Sequence, residues 1–386
     1  MTRRPSDAFG TPWRTKLSAR AALDAGVAME HAFGRSGGFT VGIEEELLLV
    51  DATTHELAPV AEQVLPAMDV PEGAAAHEAY AAELELRSPI SRDVGEAVAA
   101  LACARTAARA AGATLMGAGV HPDGALGDAR LVDAERYRKV DESMRGLIRR
   151  TPECALHVHV GMPDPETAIH AYNGLRGWLP LLAALSANSP FWFRVDSGMA
   201  SARASLVRAY PGRGVPRAFH DVAEYEEAVA ALVAAAGAED YTFLWWDIRP
   251  HPRLGTVEVR EMDAQSSLAD AGALAGLVHA LAVMEAQRPP GGEPPPAEAI
   301  EWSSFRAARD GLEARIYYEG ALHAVAKVAR DALARVRPFA GELGADAALE
   351  GVERILREGG GAARQRAAHA RGGMPALLDE LARATD

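Results

Sequence analysis

Cysteine is almost missing from this chain. Cys103 and Cys154 are the only two, far apart and without a ligand-like pattern around them. That argues against a disulfide framework or a zinc ribbon, and a reducing cytoplasm fits best. Basic charge is also scarce: 40 Lys and Arg face 53 Asp and Glu, a formal charge of −13. General nucleic-acid binding, which draws most of its affinity from a basic surface, is not expected. A nucleotide or an acidic substrate held by a few local arginines and metal ions remains open. Charges interrupt the alanine-rich segments, so no run of about 18 wholly apolar residues suggests a membrane span. No apolar stretch follows the twin arginine of "MTRRPSDAFG", which therefore does not read as a signal peptide. Gly112, Gly117 and Gly119 form no dinucleotide fingerprint, and no Walker-type loop occurs. Aromatics make up only 6% and alanine is abundant, which points to a helix-rich chain.

What is present is bulk. With 386 residues, 49% of them hydrophobic, the chain can bury a substantial core in one large domain or two modest ones. Residues 1–37 are polar and basic and read as a flexible extension, with a short helix near Ala21–Phe33. A strand over Phe39–Val50 turns at "DATTHE" towards Leu57–Pro59, and Ala61–Met68 reads as a short helix. A second strand runs over Tyr80–Arg87. Ser91 or Asp93 caps a long helix that reaches Ala111. "ATLMGAGVHP" reads as a buried strand, residues 129–150 as a charged helix and Ala155–Gly161 as a strand. Two helices come next, then a loop over Phe191–Pro216, a helix over Val222–Ala236, a strand–loop–strand through "YTFLWWDIRPHPRLGTVEVREMD", and a helix over Ser267–Gln287. "RPPGGEPPP" is the clearest linker. These boundaries suggest a core at 38–288, a linker at 289–296 and a helices-only part at 297–386 packed on the same domain. Irregular spacing of strands and helices favours α+β over a doubly wound parallel sheet.

Four strand-like stretches each carry two ionisable residues at i and i+2: Glu44/Glu46, Glu83/Glu85, His157/His159 and Glu258/Arg260. Side chains two apart on a strand share a face. The neighbours Ile43 and Leu47, Leu84 and Leu86, Val158 and Val160, and Val257 and Val259 fall on the other. One sheet with an apolar back and a chemically active front is the expectation, and Glu45 lies on the back. Carboxylates converging on one face repel unless protons or cations neutralise them. Divalent Mg²⁺ or Mn²⁺ suits an oxygen-rich donor set with one imidazole. Each acidic pair alone could equally line a solvated face. His157 and His159 could both bind zinc in a metal-dependent hydrolase, or one could be a core histidine beside a single ligand. Arg260 beside Glu258, Arg249 just ahead of that strand and Arg203 in "DSGMASAR" favour phosphoryl transfer, where cations and guanidinium groups clamp the moving charge.

In this order, "TVGIEEELLLVD", "LELRSPI", "HVHVGM", "LSANSPFW", "DSGMASAR", "WWDIRPHPRLGTVEVREMDAQ" and "FRAARDGLEA" resemble the glutamate–cysteine ligase type 2 (YbdK-like carboxylate–amine ligase) family over about residues 38–320. The resemblance implies a glutamine-synthetase-like fold: a curved, mainly antiparallel sheet forming a funnel, with helices on its outer face. It implies ATP-dependent activation of a glutamate side-chain carboxylate as an acyl phosphate, then attack by the amine of cysteine or another amine. By that resemblance Glu44, Glu46, Glu85, His159 and Glu258 match metal positions. Arg260 contacts the transferring phosphate, Arg203 and Arg249 the substrate carboxylates, and His157 either supports His159 or lies on the nucleotide side, with Glu83 supporting Glu85. ATP and Mg²⁺ or Mn²⁺ are the implied cofactors, and a homodimer is a family-level expectation; no nucleic acid or membrane partner is implied.

The chain departs from the family pattern in several places. Arg194 stands where glycine is common and Ser197 where threonine is usual. Glu261 replaces an apolar residue and is expected on the face opposite Glu258. Ser303 and Ser304 stand for asparagine and arginine. The metal strands are intact while the substrate-side loops differ, which leaves the amine open. A metal-dependent hydrolase and a catalytically silent nucleotide-binding homologue are the rival readings.

Overall fold

The computed structural model describes residues 29–124, 127, 129–289 and 294–385. The expected flexible extension and the start of its helix fall largely in 1–28, outside the described residues, as does part of the linker. Where description begins, Met29–Phe33 is not helical. This segment crosses the ends of two strands, with the Ala32 amide donating to the Pro252 carbonyl (2.8 Å) and the Gly34 amide to Met162 (2.8 Å).

Alternation of apolar and ionisable residues drives the main sheet. Its strands are β1 (Val41–Val50), β2 (Ala75–His77), β3 (Glu83–Arg87), β4 (Thr114–Met116) and β5 (Ala155–Gly161). The short pair β6 (Phe191–Trp192) and β7 (Val195–Asp196) stands apart, and β8 (Ile248–His251) and β9 (Thr256–Asp263) complete the sheet. The order is β2-β3-β1-β5-β9-β8, and every ladder is antiparallel. Leu48 pairs with Glu83 on one edge of β1 and with Met116 on the other, so β4 continues the β5 side.

The back face is apolar as its period-2 pattern requires: Ile43, Leu47, Leu84, Leu86, Val158, Val160, Val257 and Val259 join one core. Helices Val94–Ala110, Pro165–Arg176, Leu179–Ser186 and Leu268–Gln287 enclose it. Asp93 and Asp164 cap two of them, accepting from the amides of Glu96 and Thr167. Leu268–Gln287 is long and apolar enough to cross a membrane, although no wholly apolar run stands out in its sequence. Its apolar window is 78% buried within the fold, against strands and other helices. The C-terminal helix Asp346–Glu358 crosses it at small residues; a Cβ on Gly351 would lie 2.7 Å from the Ala273 Cβ.

The front face is ionisable only over part of its length. Beyond Glu46, β1 presents Leu48 and Val50, which pack with Met116, Phe191, Leu377 and Leu381. The last two belong to the helical stretch Gly361–Thr385, bent where Gly373 takes φ +69. Further stretches differ from expectation: within residues 129–150 the α-helix covers only Glu135–Met144, followed by a short 3-10 turn at Arg145–Leu147. Phe191–Pro216 contains the β6–β7 hairpin and the helix Ala202–Val207, capped by Ser201. The C-terminal part is not helices only: β10 (Arg315–Tyr318) and β11 (Ala321–Ala324) form a hairpin. Glu319 and Gly320 both take positive φ in its two-residue turn, a weaker signal than Asn-Gly.

Glu45, a charge on the apolar back, is matched in full. Arg105, from helix Val94–Ala110, donates Nε to Oε1 (2.8 Å) and Nη2 to Oε2 (2.7 Å). Its remaining N–H groups reach the Ser266, Thr385 and Gln265 carbonyls. Removing one partner strands a buried charge. Glu45→Ala is therefore expected to lower unfolding free energy by about 3–5 kcal/mol, read as a lower urea midpoint. An unchanged midpoint would contradict the clamp.

Candidate active site

Register brings the ionisable pairs together. Glu44 faces His157 across β1–β5 and Arg87 across β1–β3, Glu46 faces Glu85, and Glu258 faces His159 and Arg249. One ligand atom from each of Glu44, His157 and Glu258 lies within 4.8 Å of the others. His157 Nδ1 is 3.5 Å from Glu44, and its Nε2 is 3.7 Å from Glu46. His159 Nε2 lies 3.6 Å from Glu44 and 3.8 Å from Glu258, while its Nδ1 meets the Thr256 hydroxyl at 3.0 Å. His157 Nδ1 and His159 Nε2 are buried without a hydrogen-bond partner among the described residues. Such orphaned imidazole nitrogens, facing carboxylates at distances too long for hydrogen bonds, fit a cation between them. His157, read from sequence as a supporting residue, stands inside the three-donor group.

Glu85 pairs with Arg87 beside Glu46. Glu83 sits apart, accepting from the buried Cys154 thiol at 3.2 Å. Burial and the charge of Glu78 push the Glu46 carboxyl up to about 8. Burial with Glu44 and Glu78 raises Glu85 well above the usual range, and burial with Glu46 and Glu78 does so for Glu83. Burial would raise Glu44 too, but the charge of His159 and the nearby His157 hold it well below. Against the same burial, Arg249 and Arg260 keep Glu258 low. Burial and Arg260 push the His157 imidazole down to about 3, leaving it neutral as a ligand must be. Part of the front thus carries protons where a cation would otherwise supply the positive charge. Glu78, unremarked in sequence, belongs to this group; it directly follows β2, outside the i, i+2 pattern.

The arginines divide into two sets. Arg249 is fully engaged, with Nε on Glu258 (2.5 Å), Nη2 on the same carboxylate (3.4 Å) and Nη1 on the Thr242 and Leu244 carbonyls. Arg260 binds the other side of Glu258 and keeps Nε without a partner among the described residues. Near the end of β9 the register shifts: Leu156 faces Met262, yet Val158 faces Val259. This bulge gives β9 one extra residue opposite His157 and re-aims the side chains beyond it. Glu261 therefore does not join the apolar back, as strict alternation predicts. Its carboxylate lies 3.6 Å from Arg208, which also holds Asp247 at 2.8 Å. Asp263, also unremarked in sequence, anchors the loops around Arg203. It accepts from the Asn188 amide (2.9 Å), Ser189 (2.7 Å) and Ser201 (2.9 Å), and lies 3.6 Å from Arg203.

The family departures fall mostly on scaffolding. Phe193 and Arg194 form the β6–β7 turn, both at positive φ, and Arg194 reaches Asp123 at 2.9 Å. The Ser197 hydroxyl donates to the Pro190 carbonyl at 2.8 Å, and Ser303 accepts from the Tyr317 amide at 2.8 Å.

The model of glutamate–cysteine ligase family 2 matches residues 40–380, and the chain belongs to that family. A Rubrobacter xylanophilus protein provisionally named glutamate–cysteine ligase 2-3 is 43% identical over 366 residues, covering 92% of this chain and all of that one. A Haloquadratum walsbyi glutamate–cysteine ligase is 32% identical over 375 residues, covering 94% of this chain and all of its own. Among solved structures, a Francisella tularensis glutamate–cysteine ligase in complex with AMP has a TM-score of 0.68 at 14% identity, covering 90% of this chain and 88% of that one. A bifunctional glutathione synthetase from Pasteurella multocida has a TM-score of 0.62, also at 14% identity, covering 90% of this chain and 52% of that one. These two likenesses establish the fold.

Cation binding should be linked to protons here. A carboxyl raised to about 8 holds a proton in the folded state that the unfolded chain has lost. Between about pH 6.5 and 8 the metal-free protein therefore loses stability as pH rises. His159, also raised, acts in the same direction; the lowered His157 and His251 oppose it near pH 6.5, where the unfolded imidazoles still carry protons, and stop contributing towards pH 8. Melting temperature without metal should fall over this range, and the increment produced by Mn²⁺ should grow. A Mn²⁺ increment independent of pH would contradict the linkage.

Proposed function

We propose that this chain activates the side-chain carboxylate of glutamate, or of a related acid, with ATP. The amine of cysteine or another amine then attacks, forming a γ-glutamyl amide through an acyl phosphate. Membership of its family makes the chain an ATP-dependent carboxylate–amine ligase of the γ-glutamyl type. The supporting observation within the site is the convergence of Glu44, His157 and Glu258 beneath Arg260.

Glu44, His157 and Glu258 would hold a divalent ion such as Mg²⁺ or Mn²⁺, with Glu46, Glu85 and His159 around it. Such an ion supplies Lewis-acid charge and a template for the phosphates. Arg249 orients Glu258 from one side by two hydrogen bonds. Arg260 approaches from the other side with an uncommitted Nε, suited to charge that develops on a transferring phosphoryl group. His157 stays neutral, so it donates a lone pair and adds no positive charge. No protein nucleophile is required: the acid attacks phosphorus and the amine displaces phosphate. Buried side chains around the donors limit competing water.

ADP release with ATP and Mg²⁺ across a panel of amino acids and amines tests the proposed activity. Glu44→Gln should abolish metal-dependent turnover. Arg260→Ala should keep ATP binding and slow transfer by roughly 10²–10³. Turnover that survives both substitutions, or zinc-dependent hydrolysis needing no ATP, would contradict it.

A further inference from the structure

On the helical side of the sheet, away from the metal group, lies a cleft of about 730 Å³, a volume typical of small-molecule sites. Helix Pro165–Arg176 forms one wall with His170 and Asn173, and the β10–β11 hairpin forms another with Tyr317, Tyr318 and Glu319. Glu285 and Arg288 enter from the end of helix Leu268–Gln287, and Arg335 from helix Val325–Ala340. Trp178, Phe219 and Tyr318 line the cleft and belong to the back-face core, and none of the ionisable front-face residues lines it. Contacts distant in the chain hold its shape. Asn173 brackets Phe219, accepting from its amide at 3.1 Å and donating to its carbonyl at 2.7 Å. His170 Nε2 donates to the Arg288 carbonyl at 2.8 Å, fixing the helix end that carries this arginine. Gly174 leaves room for Glu285, since a Cβ there would lie 2.2 Å from its Oε2.

Both carboxylates that line the cleft are already engaged. Buried Glu285 accepts from Trp178 Nε1 at 2.8 Å and lies 3.4 Å from Arg288, and Glu319 pairs with Arg335. His220, at the rim, lies 3.2 Å from Asp221. Donors are left over, because a guanidinium has five N–H groups and Arg288 and Arg335 each direct one at a carboxylate. The Tyr318 hydroxyl is buried without a hydrogen-bond partner among the described residues. Lys327 and Arg335 lie 5.6 and 5.5 Å from the centre of its ring. Arg176, just ahead of Gly177 in the wall, is 1% exposed; it gives Nε to the Pro216 carbonyl and keeps Nη1 without a partner among the described residues. Burial depresses its guanidinium, and Tyr172 and Glu298 oppose that only in part. Unpaired buried donors are costly, and an anionic group satisfies several at once. Tyr317, Tyr318 and Pro295 offer apolar faces suited to a flat ring.

We propose that this cleft binds an organic anion with a planar aromatic body, its carboxylate or phosphate meeting Arg288, Arg335 and the Tyr318 hydroxyl. The site stands apart from the active site and does not depend on the ligase reaction. It is nonetheless close to β8: Phe219 packs edge-on against Tyr225 at 5.4 Å, and the Tyr225 hydroxyl donates to the Pro250 carbonyl at 3.1 Å, next to Arg249. Calorimetry on the full chain tests the proposal, with 2-naphthoate as the probe and 2-naphthamide, the same ring without the charge, as its control. The wild type should bind one 2-naphthoate per chain, about tenfold or more tighter than the amide. Arg288→Gln and Arg335→Gln should each weaken 2-naphthoate by about tenfold, and Tyr318→Phe, which keeps the ring, by about 3–10-fold, all at an unchanged melting temperature. Arg335 is half-exposed, so its substitution leaves the core intact. Glu44→Gln and saturating ATP with Mg²⁺ should leave the affinity as it is. Absence of saturable binding, equal binding of the amide, affinity that survives both arginine substitutions, or displacement by ATP with Mg²⁺ would overturn the proposal.

Discussion

Mutual repulsion among carboxylates on one face of an antiparallel sheet is the constraint on which this structure turns. Glu44, Glu46, Glu85 and Glu258 are fixed by ladders to one another and to two histidines, and cannot separate without breaking strand pairing. Glu78, directly after β2, adds its charge to theirs. Protons, guanidinium groups and imidazoles share the neutralisation. Buried like charges cost stability, and much of the rest of the fold holds them in place.

The support comes from the opposite face and from the chain's ends. The apolar back seats helix Leu268–Gln287, and C-terminal helices cross that helix where glycine and alanine allow close approach. Arg105 ties the sheet, through Glu45, to the carbonyl of Thr385, so the final helix is anchored in the same hydrogen-bond set as the first strand. That helix in turn covers the apolar part of the front, leaving the ionisable part as the working surface. Stability and site geometry are therefore coupled through β1, which carries charge on one face, a buried ion pair on the other, and partners on both edges.

Much of this was legible in the sequence because strand alternation is a local property. Ala155–Gly161 and Val222–Ala236 fall where their patterns predict, and the face assignments of Glu44, Glu45, Glu46, His157 and Glu258 follow from period 2 alone. The features that were not legible depend on partners distant in the chain. The β9 bulge, which brings Glu261 to Arg208, exists only relative to β5. Glu78 and Asp263 acquire meaning from register and from loops more than 60 residues away. Arg249 reads from the sequence as a substrate-carboxylate residue, yet strand pairing sets it against Glu258. The β10–β11 hairpin hid behind a short Glu-Gly turn within helix-like composition.

The central claim is that this sheet face binds a divalent cation through an imidazole nitrogen and two strand carboxylates. Electron spin echo spectroscopy of Mn²⁺ bound to the full chain tests it most directly. The account predicts nitrogen modulation from a coordinated imidazole that disappears in His157→Gln, and loss of the bound signal in Glu44→Gln. Modulation unchanged in His157→Gln, or Mn²⁺ bound equally well without Glu44, would contradict it.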